Sequence, residues 1–181
     1  MVLTEVGPRD GLQNEQAAIS TEDKIAFVDA LSAAGHRQIE VSSFVRSDRV
    51  PAMADADAVF RGITRRPGVR YVGLVANRRG LERAQEVACD AIALFTATSS
   101  TFTEANIGMN VSTSLSRYAR LAGEATQNQM TVRGYVSTIF ACPYDGQTPP
   151  EEVLRVAESL LDMGCDEVSL GDTTGVGTPV Q

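Results

Sequence analysis

The sequence predicts an α/β fold with a parallel sheet, and three observations favour part of a (β/α)8 barrel. Short apolar runs alternate with longer helix-like segments along the whole chain. The apolar runs are rich in Val, Ile, Leu and Phe, which is typical of strands buried on both faces of a parallel sheet. No G-x-G-x-x-G follows the first run, which weakens the alternative of an open, doubly wound dinucleotide-binding sheet.

Six apolar runs are predicted as strands. They cover residues 2–6, 38–42, 70–75, 91–95, 131–139 and 167–170. A complete barrel needs eight β/α units, so six units amount to about three quarters of one. We therefore expect residues 1–181 to form a partial TIM-barrel catalytic domain, truncated to about six β/α units, with the C-terminal units absent.

Helices are predicted between these strands. They cover residues 20–34, 54–64, 80–88, 110–127 and 149–163. The first begins at a capping pair, Ser20 and Asp23, and carries Ile25, Val28 and Leu31 at helical spacing. The fourth carries Leu115, Tyr118 and Leu121 on one face. The fifth begins with prolines and has acidic residues in its first turn.

Composition excludes several classes of protein. The net charge of −7 argues against a basic surface that binds nucleic acid. Three cysteines without a C-x-x-C pair argue against a disulfide framework or structural zinc site and fit a reducing cytoplasm. No apolar run approaches the roughly 20 residues that span a membrane. The chain opens on the strand-like VLTEV rather than a leader, so we expect a cytoplasmic protein.

Charged residues follow the first predicted strand, in the segment GPRDGLQNE at residues 7–15. Catalytic groups of a parallel barrel gather at the carboxyl ends of its strands. Asp10 can supply a hard oxygen ligand to a divalent cation, and Arg9 can stabilise an oxyanion. The residues alone leave open the alternative that the two form a surface salt bridge in a β-α loop.

This segment resembles the signature of hydroxymethylglutaryl-CoA (HMG-CoA) lyases, a branch of the metal-dependent lyase and Claisen-condensing barrels. Further motifs of that family follow in the same order. They are IEVSSFV at 39–45, VPAMAD at 50–55, RGYVS at 133–137, CPYDG at 142–146 and SLGDTTGVGTP at 169–179. The resemblance covers residues 2–179.

The resemblance implies roles for individual residues. Arg9, Asp10 and Glu40 are the expected catalytic residues, and Asp10 is also the expected metal ligand. The expected substrate-binding residues are Gln13, Ser43, Tyr135, Ser169, Asp172 and Thr173. Two alternatives stay open: Glu40 as part of a structural ion pair, and Asp172 as the first residue of an Asx-type turn.

Four other polar residues are interpreted as structural. Asn77 is expected to cap a helix, and Arg133 lies near the start of its strand. Cys142 has no neighbouring histidine that would activate it as a nucleophile. His36, the only histidine, precedes the second strand and so lies at the end of the barrel away from the expected site.

The implied reaction is the cleavage of 3-hydroxy-3-methylglutaryl-CoA to acetyl-CoA and acetoacetate, in leucine catabolism and ketone-body formation. It implies Mg²⁺ or Mn²⁺, an acyl-CoA substrate, and no nucleic-acid or membrane partner; a homodimer stays open. The family's other metal ligands and reactive cysteine are expected beyond residue 181, so we expect the chain alone to be inactive and poorly stable or self-associating. Alternatives are a lyase for a related 3-hydroxyacyl-CoA such as citramalyl-CoA, a Claisen-condensing synthase and a non-catalytic fragment.

Overall fold

A computed structural model describes residues 2–178 and 180 of the chain. The chain divides into two compact units, Met1–Ile92 and Ala93–Gln181. The boundary between them falls inside the strand β4, Ala91–Ala97.

The first unit alternates strands and helices. Its elements are β1 (Thr4–Glu5), α1 (Thr21–Ala33), β2 (Gln38–Ser43), α2 (Ala56–Gly62), β3 (Arg70–Leu74) and α3 (Arg78–Glu86). The three strands are parallel and lie in chain order, with Thr4 paired with Gln38 and Gln38 with Arg70. All six residues of β2 are buried, as expected of a central parallel strand.

The second unit continues the alternation and adds a short hairpin. Its elements are α4 (Ser100–Ile107), α5 (Val111–Gln127), β5 (Thr131–Ser137), β6 (Ala141–Cys142), β7 (Gly146–Gln147), α6 (Pro150–Asp162) and β8 (Glu167–Leu170). The order β4-β5-β8 again follows the chain, and β5 and β8 are parallel. Neither unit shows the reversal of strand order that defines a doubly wound sheet.

Several predicted boundaries needed correction. The predicted first strand, residues 2–6, is reduced to Thr4–Glu5, because a π-helical turn starts at Gly7. The predicted fifth strand, residues 131–139, ends at Ser137, because Thr138 has a φ of +61° and leaves the extended conformation. Helix α4 and the β6–β7 hairpin were not predicted.

The buried face of α1 also differs from the prediction. Ser20 caps the helix by accepting the N–H of Asp23, as predicted. The buried positions, however, are Lys24, Val28 and Ser32, whereas Ile25 and Leu31 are only half-buried. In α5 the predicted face is confirmed, because Leu115, Tyr118 and Leu121 are all buried.

The start of α3 packs directly against the backbone that follows β2. A Cβ atom on Gly80 would lie 2.6 Å from the carbonyl oxygen of Phe44. Gly80→Ala must therefore push the helix away, and we expect the free energy of unfolding to fall by about 1–3 kcal/mol. Gly123→Ala, in α5, is the matched control: its Cβ would meet nothing within 4 Å. We expect it to raise stability by about 0.5–1 kcal/mol. Urea denaturation measures both, and equal losses would contradict the packing argument.

Candidate active site

The first part of the candidate site lies directly after β1, in a π-helical turn over Gly7–Gly11. The carbonyl of Val6 accepts the backbone N–H groups of Arg9 at 3.1 Å and Asp10 at 2.7 Å. Such turns are rare and are often found at functional sites. This turn fixes the backbone of Arg9 and Asp10 at the carboxyl end of the strand.

Arg9 lies between two carboxylates. Its Nε donates to Glu40 Oε1, and its Nη1 donates to Asp10 Oδ1 at 2.8 Å. The side chain of Glu40 is completely buried and that of Arg9 is 11% exposed, whereas that of Asp10 is 56% exposed. The cluster therefore holds one guanidinium in a defined orientation and leaves one carboxylate open to solvent.

The carboxyl end of β2 supplies the next candidate, Ser43. The pairing of β2 with β3 shifts by one residue between Glu40 and Ser42, which is a β-bulge. Ser43, the last residue of the strand, is fully buried, and its hydroxyl has no hydrogen-bond partner among the described residues. A buried hydroxyl without a partner is costly, so the hydrogen-bonding capacity of this oxygen is unused within the described residues.

Gln13 lines a cavity of about 620 Å³ between the loops after β1 and β2, and Arg9 is not among the residues that line it. Lys24 and Asp55 lie at the same cavity. The Lys24 ammonium donates to Asp55 Oδ1 and to the carbonyl of Ala52, both at 2.7 Å. Burial would raise the pKa of Asp55, but hydrogen bonds from Lys24 and Thr21 outweigh it and hold that pKa below its usual value. The sequence interpretation missed this pair.

In the second unit, Tyr135 and Ser169 occupy paired positions on β5 and β8. Both are half-buried. The guanidinium of Arg133 lies 5.1 Å from the centre of the Tyr135 ring, which stabilises the ring by a cation–π contact.

The remaining two candidates lie in the loop after β8. The carboxylate of Asp172 accepts the N–H of Gly175 at 3.0 Å and that of Gly177 at 2.7 Å, so it shapes the loop as the Asx-type alternative predicted. Thr173 is exposed, and its hydroxyl oxygen accepts the N–H of Thr138 at 2.8 Å. The Thr138 contact could not be predicted from the sequence, because it depends on a backbone conformation that threonine rarely adopts.

Residues interpreted as structural have matching contacts. Asn77 caps α3 by accepting the N–H of Gly80 at 2.9 Å, and Arg133 pairs with Glu167 at 2.8 Å. His36 lies between α1 and β2 with its Nε2 at 4.0 Å from Glu5 Oε2.

The three cysteines are buried thiols. Burial raises the pKa of Cys89 to about 12 and that of Cys165 to about 11, which makes both thiols unreactive. Cys142 donates to the hydroxyl of Ser99 at 3.1 Å.

Within residues 2–178 and 180, no group of three or more His, Cys, Asp or Glu side chains could hold a metal ion. Asp10 fits as a single ligand, because its carboxylate is exposed and is a hard oxygen donor. In the same part of the chain, no helix is long and apolar enough to cross a membrane.

Comparison with known proteins gives consistent matches. A Pseudomonas aeruginosa protein named 3-hydroxy-3-isohexenylglutaryl-CoA/hydroxy-methylglutaryl-CoA lyase is 51% identical over 176 residues, 97% of this chain. The chain spans 59% of that relative's length.

Solved structures give matches to the same kind of protein. The HMG-CoA lyase of Brucella melitensis matches with a TM-score of 0.97 and 45% identity, over 99% of this chain and 63% of its own. An HMG-CoA lyase of Acinetobacter baumannii, solved with coenzyme A and 3-methylmalate, matches with a TM-score of 0.95 and 37% identity, over 99% of this chain and 59% of its own.

These matches confirm the predicted fold class, part of a (β/α)8 TIM barrel. The model of one protein family, HMGL-like, matches residues 1–181 in full. The chain belongs to the HMGL-like family.

Proposed function

We propose that the protein carrying this chain is a 3-hydroxy-3-methylglutaryl-CoA lyase that yields acetyl-CoA and acetoacetate. The observation that carries this proposal is the guanidinium of Arg9, which lies directly after β1 and is oriented by the fully buried Glu40 of β2. The names of the relatives support the same reaction.

In the proposed reaction the C3 hydroxyl loses its proton, and the bond between C2 and C3 breaks. Carbon 3 becomes the ketone of acetoacetate, and C2 keeps the electron pair as the thioester enolate of acetyl-CoA, which then takes up a proton. Arg9 offsets the charge that develops on the enolate oxygen. Glu40 acts through Arg9, because its buried carboxylate keeps the guanidinium in place.

We further propose that the substrate is held by Gln13, Ser43, Tyr135, Ser169, Asp172 and Thr173. Ser43 has a buried hydroxyl with no partner among the described residues. Thr173 is an exposed residue, and the bond that its hydroxyl oxygen accepts from Thr138 does not use its proton. Asp172 contributes by holding the shape of its loop, since both of its carboxylate oxygens accept loop N–H groups.

Asp10 is the proposed ligand of a divalent cation, Mg²⁺ or Mn²⁺. Such a cation, when bound, would hold the hydroxyl and carboxylate oxygens of the substrate. The hydrogen bond from Arg9 to Asp10 Oδ1 orients the carboxylate.

Asp10→Asn keeps the shape of the side chain but removes its charge. We expect Mn²⁺ to bind at least about 10-fold more weakly, and turnover to fall with it. Calorimetric titration with Mn²⁺ measures the affinity, and Asp48→Asn, at an exposed ion pair, is the control. Unchanged Mn²⁺ affinity in Asp10→Asn would remove Asp10 from the metal site.

The function itself is tested with the protein carrying this chain, HMG-CoA and either Mg²⁺ or Mn²⁺. Equal amounts of acetyl-CoA and acetoacetate are expected, and their absence from folded protein would overturn the proposal. The P. aeruginosa relative's name favours a second candidate substrate, 3-hydroxy-3-isohexenylglutaryl-CoA, which the same assay compares directly. Citramalyl-CoA belongs in the same panel. Release of free CoA from acetyl-CoA and a 2-oxo acid would instead indicate a condensing synthase.

We also propose that residues 1–181 belong to one catalytic domain of a cytoplasmic enzyme in leucine catabolism and ketone-body formation. The three unpaired, buried thiols support a reducing compartment. A homodimer is the proposed assembly, and sedimentation equilibrium tests it.

A further inference from the structure

Thr138, directly after β5, has an unusual backbone conformation. Its φ is +61°, and its side chain is completely buried. A β-branched residue rarely adopts positive φ, so the surrounding structure must hold it there.

Three threonine hydroxyls provide that support, those of Thr98, Thr138 and Thr148. The carbonyl of Thr138 accepts hydrogen bonds from the hydroxyls of Thr98 at 3.0 Å and Thr148 at 2.6 Å. The hydroxyl of Thr138 donates to the carbonyl of Ser137 at 2.6 Å. Thr98 Oγ1 also lies 2.8 Å from Thr138 Oγ1 and 3.4 Å from Thr148 Oγ1, so the three hydroxyls form one hydrogen-bonded network around this short stretch of backbone.

The fixed backbone directs the N–H of Thr138 toward Thr173. That N–H donates to Thr173 Oγ1 at 2.8 Å. The bond occupies a lone pair of the Thr173 oxygen and leaves its proton for an acceptor outside the protein, where Thr173 is exposed. Thr138 thus sets the direction in which Thr173 can donate.

We propose that Thr138 is a positioning residue, whose left-handed backbone presents the Thr173 hydroxyl as a donor to a carbonyl or carboxylate oxygen of the acyl-CoA substrate. This inference rests on the proposed function. Thr138 acts through Thr173 and does not itself touch the substrate, so the two residues should be energetically coupled.

A double-mutant cycle tests the coupling. Thr138→Val removes the hydroxyl and favours negative φ, which turns the N–H away from Thr173. We expect the KM for HMG-CoA to rise about 3- to 10-fold, the scale of one hydrogen bond, with kcat within about twofold. In a Thr173→Val background the same change should alter KM by less than about twofold, because the oriented hydroxyl is already absent. Thr138→Ser keeps the hydroxyl, so its KM should stay close to that of the unchanged protein.

The control is Thr131→Val at the opposite end of β5, where the buried hydroxyl has no partner among the described residues. It should leave KM unchanged. If Thr138→Val does not fold, Thr138→Gly gives the complementary test. Glycine adopts positive φ freely, so it should keep the backbone N–H bond to Thr173 and leave KM within about twofold, and a larger rise would overturn the positioning role. An equal rise of KM in both backgrounds would overturn the positioning role while leaving the lyase function intact. If the folded protein that carries this chain does not cleave HMG-CoA, the proposed function is overturned, and this inference with it.

Discussion

Replacing Arg9 by methionine is expected to lower kcat by about 10²-fold or more, the scale seen when one oxyanion donor is removed. The enolate charge appears only as the bond between C2 and C3 breaks, so the loss should fall on the transition state. We expect KM to rise less than kcat falls, and Mn²⁺ affinity to change little. Steady-state kinetics with HMG-CoA and a Mn²⁺ titration measure these effects.

Arg9→Lys is the informative companion variant. Lysine keeps the positive charge but lacks the planar fork with which Arg9 contacts Glu40 and Asp10 together. Only partial recovery of kcat is therefore expected. Near-parental kcat in Arg9→Met would refute the catalytic assignment and leave Arg9 as part of a structural ion pair.

The order of strands and helices could be predicted from the sequence, because parallel strands and amphipathic helices have strong local patterns. β8 was predicted at its observed bounds, 167–170. The fifth strand was predicted two residues too long, because Ile139 is apolar and no neighbouring residue in the sequence indicates the positive φ of Thr138. That conformation depends on Thr98 and Thr148, which are distant in sequence.

The buried face of α1 also depends on residues that are distant in sequence. Leucine and isoleucine at helical spacing predicted one buried face, but Lys24 lies inside because Asp55 and the carbonyl of Ala52 receive its ammonium. A signal for this pair was present: Lys24, Val28 and Ser32 share a spacing of four residues, and Lys24 is the only lysine in the chain. Its partner lies 31 residues away, which a local pattern does not reveal.

Within the candidate site, the motif after β1 indicated Arg9 and Asp10, and the alternation of β2 indicated that Glu40 faces inward. The sequence left open whether Glu40 is catalytic or part of an ion pair. The contact with Arg9 makes the two alternatives compatible, because an ion pair can itself orient the catalytic guanidinium. The π-helical turn that aligns the partners has no sequence signature of its own.

Glu40→Leu is expected to lower the free energy of unfolding by about 3–5 kcal/mol, the second large effect. The change removes a fully buried carboxylate and deprives the Arg9 guanidinium, itself only 11% exposed, of that charge. The double variant Arg9→Met/Glu40→Leu replaces both charges by apolar groups and should be more stable than Glu40→Leu alone. It should nevertheless stay as inactive as Arg9→Met, because restored packing does not restore the oxyanion donor. Urea denaturation and kinetics on the same preparations separate the two effects.

Asp48→Leu, at the exposed pair with Arg46, is the control and should leave stability almost unchanged. If the losses of the two single variants simply add in the double variant, Arg9 and Glu40 do not act as a pair, and the positioning role of Glu40 fails.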